Sequence, residues 1–178
     1  KTAYEIPKRD WSSDVCSSDL IKASGADAVF YGGYYAEGGL LVKQLRQGGF
    51  TGTFMSGDGS EDPAFVKAAG ADAAEGAVLS APAAPAPADF NDKYKAVVGA
   101  DAGLYSTQAY DAANIFLAAV KDGASSAEEV NNFIGKYDGE GASGPISFDD
   151  KGDITSSTIY AYFVKGGKLD LENPEAIK

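Results

Sequence analysis

Residues 28–59, which read AVFYGGYYAEGGLLVKQLRQGGFTGTFMSGDG, decide the fold of this chain. The first four residues, Ala28–Tyr31, have the apolar composition of a buried strand and end at two glycines. Residues 37–47 repeat apolar side chains at the helical period, and two further glycines mark the end of that helix. Residues 51–55 have the composition of a second strand. The order strand, helix, strand predicts a βαβ unit with two parallel strands.

The same alternation continues along the chain. Asp62 is suited to cap a helix whose first residue is Pro63. Residues 76–81 then favour a third strand. Because a second βαβ unit follows the first, we predict an α/β protein with a parallel sheet flanked by helices.

Residues 81–88, rich in Pro and Ala, interrupt this alternation. Prolines favour an extended, semi-rigid segment, which is either an ordinary loop or a crossover between two lobes. Beyond it, residues 89–143 carry helical patterns, including a capping box at residues 126–129. Residues 144–178 change to a period of two, with a hairpin signal at Gly166-Gly167.

Two polar side chains follow the first two predicted strands, Tyr34 after the first and Asp58 after the second. In an open parallel sheet such loops emerge at the carboxyl edge, where ligands bind. A phenol and a carboxylate on neighbouring loops suit a small ligand that carries an ammonium group. The alternative is that Asp58, between two glycines, only closes a turn and that Tyr34 is a surface residue at a helix start. We interpret Ser56 as closing its own turn.

The first twenty residues have a separate origin in our interpretation. Residues 1–6 and 9–20 read KTAYEI and RDWSSDVCSSDL, which the two constant parts of a common short-read sequencing adapter encode when translated. Residues 7 and 8 fall in its variable index. We therefore treat residues 1–20 as an adapter-derived artefact and exclude them from fold reasoning. We expect the native start of the protein, with any export signal, to lie upstream.

Excluding this segment sharpens the composition, because it holds the only Cys and the only Trp, Cys16 and Trp11. Twelve basic and twenty-two acidic residues remain, a net charge of −10. An acidic protein without basic runs is a poor candidate for binding nucleic acid or anionic membranes. Without Cys it has no disulfide framework. No hydrophobic run in the sequence reaches the length needed to cross a bilayer.

The sequence also argues against an enzyme. The chain has no His, so Ser-His-Asp chemistry and His-ligated metals are unavailable within it. Gly32-Gly33 and Gly38-Gly39 lack the Lys and the Ser or Thr of a phosphate-binding loop. Residues 149–153 resemble a calcium loop, but Lys151 interrupts them, so we interpret them as a hairpin turn. We expect no catalytic residue, no metal and no cofactor.

In the order of their segments and in their sequence motifs, residues 21–171 resemble the carboxy-terminal part of the branched-chain amino acid binding proteins. These leucine/isoleucine/valine-binding proteins are the substrate-binding receptors of ABC importers. The resemblance implies a type I periplasmic-binding-protein fold, truncated here to a carboxy-terminal fragment of a two-lobed receptor. It assigns residues 21–80 to the second lobe, 81–88 to a crossover, 89–143 to helices of the first lobe and 144–178 to the return into the second lobe.

The resemblance also gives roles to three side chains. Tyr34 matches a tyrosine that lines the ligand cleft. Asp58 matches the acidic residue, usually Glu, that accepts the α-ammonium group of the ligand. Tyr105 matches an aromatic position that borders the pocket for the ligand side chain. The implied ligand is a branched-chain or related amino acid, bound between two closing lobes.

A permease of an ABC importer is the implied membrane partner, and no nucleic acid partner is expected. The implied receptor is monomeric and extracytoplasmic, either periplasmic or lipid-anchored at the cell surface. The alternative is a regulatory sensor of the same fold that binds an amino acid or an amide. A DNA-binding or transmembrane segment upstream, or neighbouring permease and ATPase genes, would discriminate between these two functions.

The adapter interpretation predicts the outcome of a deletion. Removing residues 1–20 should leave the thermal midpoint of unfolding unchanged or slightly higher, because the segment has no evolved place in the core. Circular dichroism melts of the two chains measure this. A loss of several degrees on deletion would contradict the interpretation.

Overall fold

The computed structural model of the chain describes residues 17–155 and 158–177. Its helices are α1 (Ser17–Ser24), α2 (Tyr35–Gln47), α3 (Pro63–Ala69), α4 (Ala71–Ala74), α5 (Ala88–Val98), α6 (Ser106–Lys121) and α7 (Ala127–Ile134), with a 3-10 helix at Asp58–Ser60. Its strands are β1 (Ala28–Tyr31), β2 (Thr53–Ser56), β3 (Val78–Ala81), β4 (Asp138–Gly141), β5 (Gly144–Ser147), β6 (Ile159–Lys165), β7 (Lys168–Leu169) and β8 (Glu175–Ile177).

The predicted βαβ unit is present, with β1 and β2 joined through α2. The two strands pair in parallel, in a register that runs from Ala28 opposite Thr53 to Tyr31 opposite Ser56. Since parallel strands with aligned ends leave the sheet at the same edge, the loops after β1 and β2 start side by side. The prediction of an α/β fold with a parallel sheet is confirmed.

The larger sheet has the strand order β1-β2-β3-β6-β7, with β8 also paired to β6. Strands β7 and β8 run antiparallel to β6, and β4 and β5 form a separate antiparallel hairpin. The chain divides into two compact units. The first runs to Val78 and includes Val164–Leu169, and the second comprises Leu79–Phe163 and the residues from Asp170 onward.

The core of the first unit forms between α2, α3 and β2. Phe54 and Phe65 are fully buried, and the centroids of their stacked rings lie 5.9 Å apart. Burial of each side chain stabilises the folded state by roughly 1.5–3 kcal/mol. Gly39 lets α3 approach α2 closely, because a Cβ atom placed on it would lie 2.8 Å from the carbonyl oxygen of Phe65. Gly39, the second residue of Gly38-Gly39, therefore serves helix packing.

Local signals in the sequence act as predicted at several element ends. The side chain of Asp62 accepts a hydrogen bond of 2.7 Å from the backbone N–H of Ala64 and so caps α3. Ser126 and Glu129 form the predicted capping box of α7. The carboxylate of Asp149 accepts bonds from two backbone N–H groups of residues 151 and 153, which closes the predicted turn.

The hairpin predicted at Gly166-Gly167 is also confirmed. Both residues have positive φ angles, 59° and 71°, which glycine adopts without a steric penalty. They join β6 to β7 as a two-residue connection, with Lys165 opposite Lys168. This is the geometry that favours a tight antiparallel turn.

Two elements differ from the predictions. Helix α2 begins at Tyr35 rather than at residue 37, because Tyr34 is extended and the chain turns helical directly after it. The end of the range 89–143, for which we expected helices, forms strand β4 instead. Glycines at both ends of the β4–β5 connection, including Gly144 with a φ of 107°, allow a tight hairpin there.

In the second unit, Asp111 fastens the β4–β5 hairpin to helix α6. Its buried carboxylate accepts bonds from the N–H groups of Ala142 and Ser143, each 2.7 Å, and from the Ser143 hydroxyl at 2.6 Å. All three partners donate to the two oxygens of the Asp111 carboxylate. A carboxylate thus fixes the turn of this hairpin.

The Pro- and Ala-rich segment is anchored within the same unit. The hydroxyl of Tyr162 on β6 donates a bond of 2.5 Å to the carbonyl oxygen of Ala83, and both residues are buried. The segment is therefore packed and hydrogen-bonded at this point. Its role as a lobe crossover stays a prediction.

Within residues 17–155 and 158–177, no helix is long and apolar enough to cross a membrane.

Helices α5 and α6 expose apolar side chains. Helix α5 has no buried residue. Helix α6 buries Ile115 and Ala119 on one face, while Leu117 and Val120 on another face are 66% and 60% exposed. Phe116 and Tyr110 are also more than half exposed. Contiguous apolar surface of this kind is characteristic of an interaction face.

We therefore expect the chain to bind a hydrophobic dye or to self-associate. Replacing Leu117 and Val120 together by Lys should reduce dye fluorescence and shift sedimentation towards the monomer, since two charges would interrupt the apolar face. The matched control is Ala112→Lys, which adds a charge at another exposed position of α6. A monomeric chain that binds no dye would contradict this expectation.

Candidate functional site

Tyr34 and Asp58 lie on the loops that follow β1 and β2. Tyr34 is in an extended conformation immediately before α2 and is 71% exposed. Asp58 begins the 3-10 helix and is also exposed. Both side chains therefore lie at the carboxyl edge of the parallel pair, as the sequence predicts.

Gly59 brings the two loops into direct contact. A Cβ atom placed on Gly59 would lie 2.8 Å from the carbonyl oxygen of Gly33 and 3.3 Å from Cδ1 of Tyr34. Only glycine allows this approach without moving the opposite loop. The ring of Tyr34 consequently lies beside Gly59, the residue that follows the exposed Asp58.

Two buried serines join the same loops from beneath. Ser56, at the end of β2, and Ser60, at the end of the 3-10 helix, are 1% and 0% exposed. The Ser56 hydroxyl lies 2.7 Å from the carbonyl oxygen of Tyr31 and 2.8 Å from the Ser60 hydroxyl. The Ser60 hydroxyl lies 3.1 Å from the carbonyl oxygen of Gly33. Ser56 thus reaches across to the neighbouring strand as well as into its own turn.

The ring of Tyr31 explains why Gly33 and Gly38 are glycines. A Cβ atom on Gly33 would overlap this ring, and one on Gly38 would lie 3.1 Å from its Cδ1 atom. Gly32, by contrast, has no neighbouring atom within 4 Å of such a Cβ. Of the two glycines that end β1, Gly33 is therefore the one that a neighbouring side chain approaches closely.

Tyr105, the third predicted site residue, lies in the second unit at the amino end of α6. It lines an open depression of about 660 Å³ with Tyr94, Leu104 and Tyr110 among its other walls. Phe90 extends this aromatic cluster, because its ring meets that of Tyr110 edge-on at 5.4 Å. The depression offers apolar faces together with phenolic tips.

Glu61 is a feature of the first unit that the sequence reasoning missed. It follows the 3-10 helix, three residues after Asp58, and only 8% of it is exposed. Burial first, and the neighbouring Asp62 carboxylate second, raise the pKa of Glu61 from 4.5 to about 7. No sequence signal distinguishes this acid from Asp58 or Asp62, because its burial depends on the packing of the 3-10 helix and α3.

The arrangement suits recognition of a small cation by a hydroxylated aromatic ring and a carboxylate. A carboxylate at the surface accepts charge-assisted hydrogen bonds from an ammonium group. Within the described residues, no three potential metal-ligating side chains come together. Exposed polar loops at the carboxyl edge of a parallel sheet define the class as an α/β ligand-binding protein.

Comparison with known proteins identifies the family. The sequence profile of the periplasmic binding proteins matches residues 2–168. A Leu/Ile/Val-binding protein, BraC3 of Rhizobium johnstonii, is 30% identical over 84% of this chain and 42% of its own length. A leucine-, isoleucine-, valine-, threonine- and alanine-binding protein of Pseudomonas aeruginosa is 30% identical over 80% of this chain and 39% of its own length.

Solved structures agree with the sequence relatives. The isoleucine complex of LivJ, a branched-chain amino acid transporter substrate-binding protein from Streptococcus pneumoniae, superposes with a TM-score of 0.74 and 29% identity. It covers 91% of this chain and 48% of LivJ. The leucine-binding protein LivK of Thermotoga maritima gives a TM-score of 0.73 at 29% identity, over 88% of this chain and 47% of LivK.

The chain belongs to the periplasmic binding protein family, and its fold is the type I fold of that family. The resemblance predicted from the sequence is confirmed. The chain spans about two fifths of the length of the curated relatives that it matches. The ligand roles of Tyr34, Asp58 and Tyr105, the division into lobes and the adapter origin of residues 1–20 stay predictions.

The raised pKa of Glu61 predicts a pH-dependent effect of its replacement. An acid whose pKa is higher in the folded than in the unfolded protein lowers stability as the pH rises from about 4.5 to about 7. Glu61→Gln should therefore raise the free energy of unfolding at pH 8 and change it little at pH 4. Urea denaturation at both values measures this, and equal effects at the two pH values would contradict it.

Proposed function

We propose that this chain is part of an extracytoplasmic solute-binding receptor of an ABC importer, with a branched-chain or related amino acid as its ligand. The observation that carries the proposal is the close approach of Gly59 to Gly33 and Tyr34, which joins the loops that carry the exposed Tyr34 and Asp58. The names of the relatives, which are binding proteins for leucine, isoleucine and valine, support the choice of ligand.

Asp58 accepts the α-ammonium group of the ligand in this proposal. The pairing is a charge-assisted hydrogen bond, the stronger kind, and the adjacent ring of Tyr34 covers it from one side. Asp is one methylene shorter than the Glu usual at this position in the family. The ammonium group therefore has to lie closer to the loop backbone than it does above a glutamate.

The ligand side chain is assigned to aromatic surface around Tyr105. The open depression beside Tyr105 has the apolar walls that an aliphatic side chain requires. Its phenolic tips also accept somewhat polar side chains, which suits the broader group of related amino acids.

The remaining properties follow from the same assignment. The partner is a membrane permease of the importer, and the complete receptor acts as a monomer outside the cytoplasm. Two lobes close on the ligand, which buries the Asp58–ammonium pair and excludes water from it. The protein binds its ligand without converting it, as the binding-protein names of its relatives suggest.

Replacing the carboxylate tests the proposal. In the complete receptor, Asp58→Asn should weaken amino acid binding by roughly two to three decades, because breaking a buried charge pair costs about 3–5 kcal/mol. Tyr34→Phe should cost less, about 0.5–1.5 kcal/mol for a single neutral hydrogen bond. Calorimetric titration with a panel of amino acids measures both.

Asp149→Asn is the matched control for the loss of a carboxylate. Asp149 closes a turn through its side-chain oxygen, and the amide oxygen of Asn can accept the same bonds. Its affinity for amino acids should equal that of the parent receptor. Unchanged binding by the Asp58 variant would remove the main support for the site.

A further inference from the structure

A buried pair of serine hydroxyls lies directly beneath the two loops of the candidate site. Ser56 and Ser60 are fully buried, and their hydroxyl oxygens lie 2.8 Å apart. The Ser56 hydroxyl reaches the carbonyl oxygen of Tyr31, the last residue of β1, and the Ser60 hydroxyl reaches that of Gly33 in the loop after β1. The pair therefore connects two backbone segments that lie 25 and 27 residues apart in the sequence.

The choice of serine at both positions has a physical reason. An alanine would leave little empty space, but it would remove the donors that face the carbonyl oxygens of Tyr31 and Gly33. A carbonyl oxygen that is shielded from water and has lost its donor is unfavourable. The loops would relieve this cost by moving apart and admitting water, so the hydroxyls fix the spacing between the loops.

The attachment points are next to the residues that face the ligand. Gly33 immediately precedes Tyr34, and Ser60 closes the single 3-10 turn that Asp58 begins. The contact of Gly59 with Gly33 and Tyr34 lies between them. A change in the Ser60–Gly33 distance therefore changes the position of the Asp58 carboxylate relative to the Tyr34 ring.

We propose that Ser56 and Ser60 are positioning residues that set the preference of the site for a ligand with an ammonium group. This inference rests on the proposed function of Asp58 and Tyr34. The serines do not touch the ligand. They hold the carboxylate where it meets the ammonium nitrogen, so their loss affects ligands that carry this group and spares those that lack it.

The test compares two ligands that differ only in the ammonium group, L-leucine and 4-methylpentanoate. Calorimetry on the complete receptor gives the ratio of their dissociation constants, that of 4-methylpentanoate divided by that of L-leucine. Ser60→Ala and Ser56→Ala should each reduce the preference for L-leucine about tenfold, with little change for 4-methylpentanoate. A purely structural defect would weaken both ligands alike and leave the ratio unchanged.

Ser147→Ala is the matched control. Ser147 forms a hydroxyl pair with Thr155 that is exposed and lies in the second unit. Its removal should leave the ratio unchanged. Gly59→Ala forces the same loops apart with a methyl group and should reduce the ratio as the serine variants do, which keeps the test decisive if a serine variant does not fold.

The outcomes separate the two proposals. If the parent receptor shows no preference for L-leucine over 4-methylpentanoate, the proposed function of the Asp58 site is wrong, and the positioning role falls with it. If the parent shows the preference and the folded Ser60, Ser56 and Gly59 variants keep it within twofold, the positioning role alone is wrong.

Discussion

The parallel register of β1 and β2 is the constraint on which the site depends. Tyr31 lies opposite Ser56, so both strands end at the same level and their loops begin side by side. The same register brings the Ser56 hydroxyl to the carbonyl oxygen of Tyr31. A shift of one residue would remove this bond and turn alternate side chains to the other face of the sheet. The loops that carry Tyr34 and Asp58 would then no longer begin at the same level.

Glycines allow the elements that this register brings together to come into close contact. Gly33 and Gly38 make room for the ring of Tyr31, Gly39 lets α3 pack on α2, and Gly59 brings the second loop against the first. At each of these positions a side chain would meet a neighbouring residue. The glycines of residues 32–59 thus allow close approach between the loops and helices around the site.

The sequence predicted the elements whose signals are local. Periodicity located the strands and helices of the βαβ units, and capping residues such as Asp62 and Ser126 fixed helix starts. Position after a parallel strand was enough to single out Tyr34 and Asp58. The burial of Glu61 and the clamp formed by Asp111 could not be predicted, because they depend on partners brought together by folding. Asp111 binds Ala142 and Ser143, which lie 31 and 32 positions after it in the sequence.

The central claim is that the two joined loops present Asp58 to the ammonium group of an amino acid. A crystal structure of the complete receptor with L-leucine tests it most directly. We expect the ammonium nitrogen about 2.7–2.9 Å from a carboxylate oxygen of Asp58, beside the ring of Tyr34, with the Ser60 hydroxyl still bonded to Gly33. A ligand whose ammonium group is held by other residues, with the Asp58 side chain turned away to close its own loop, would contradict the claim.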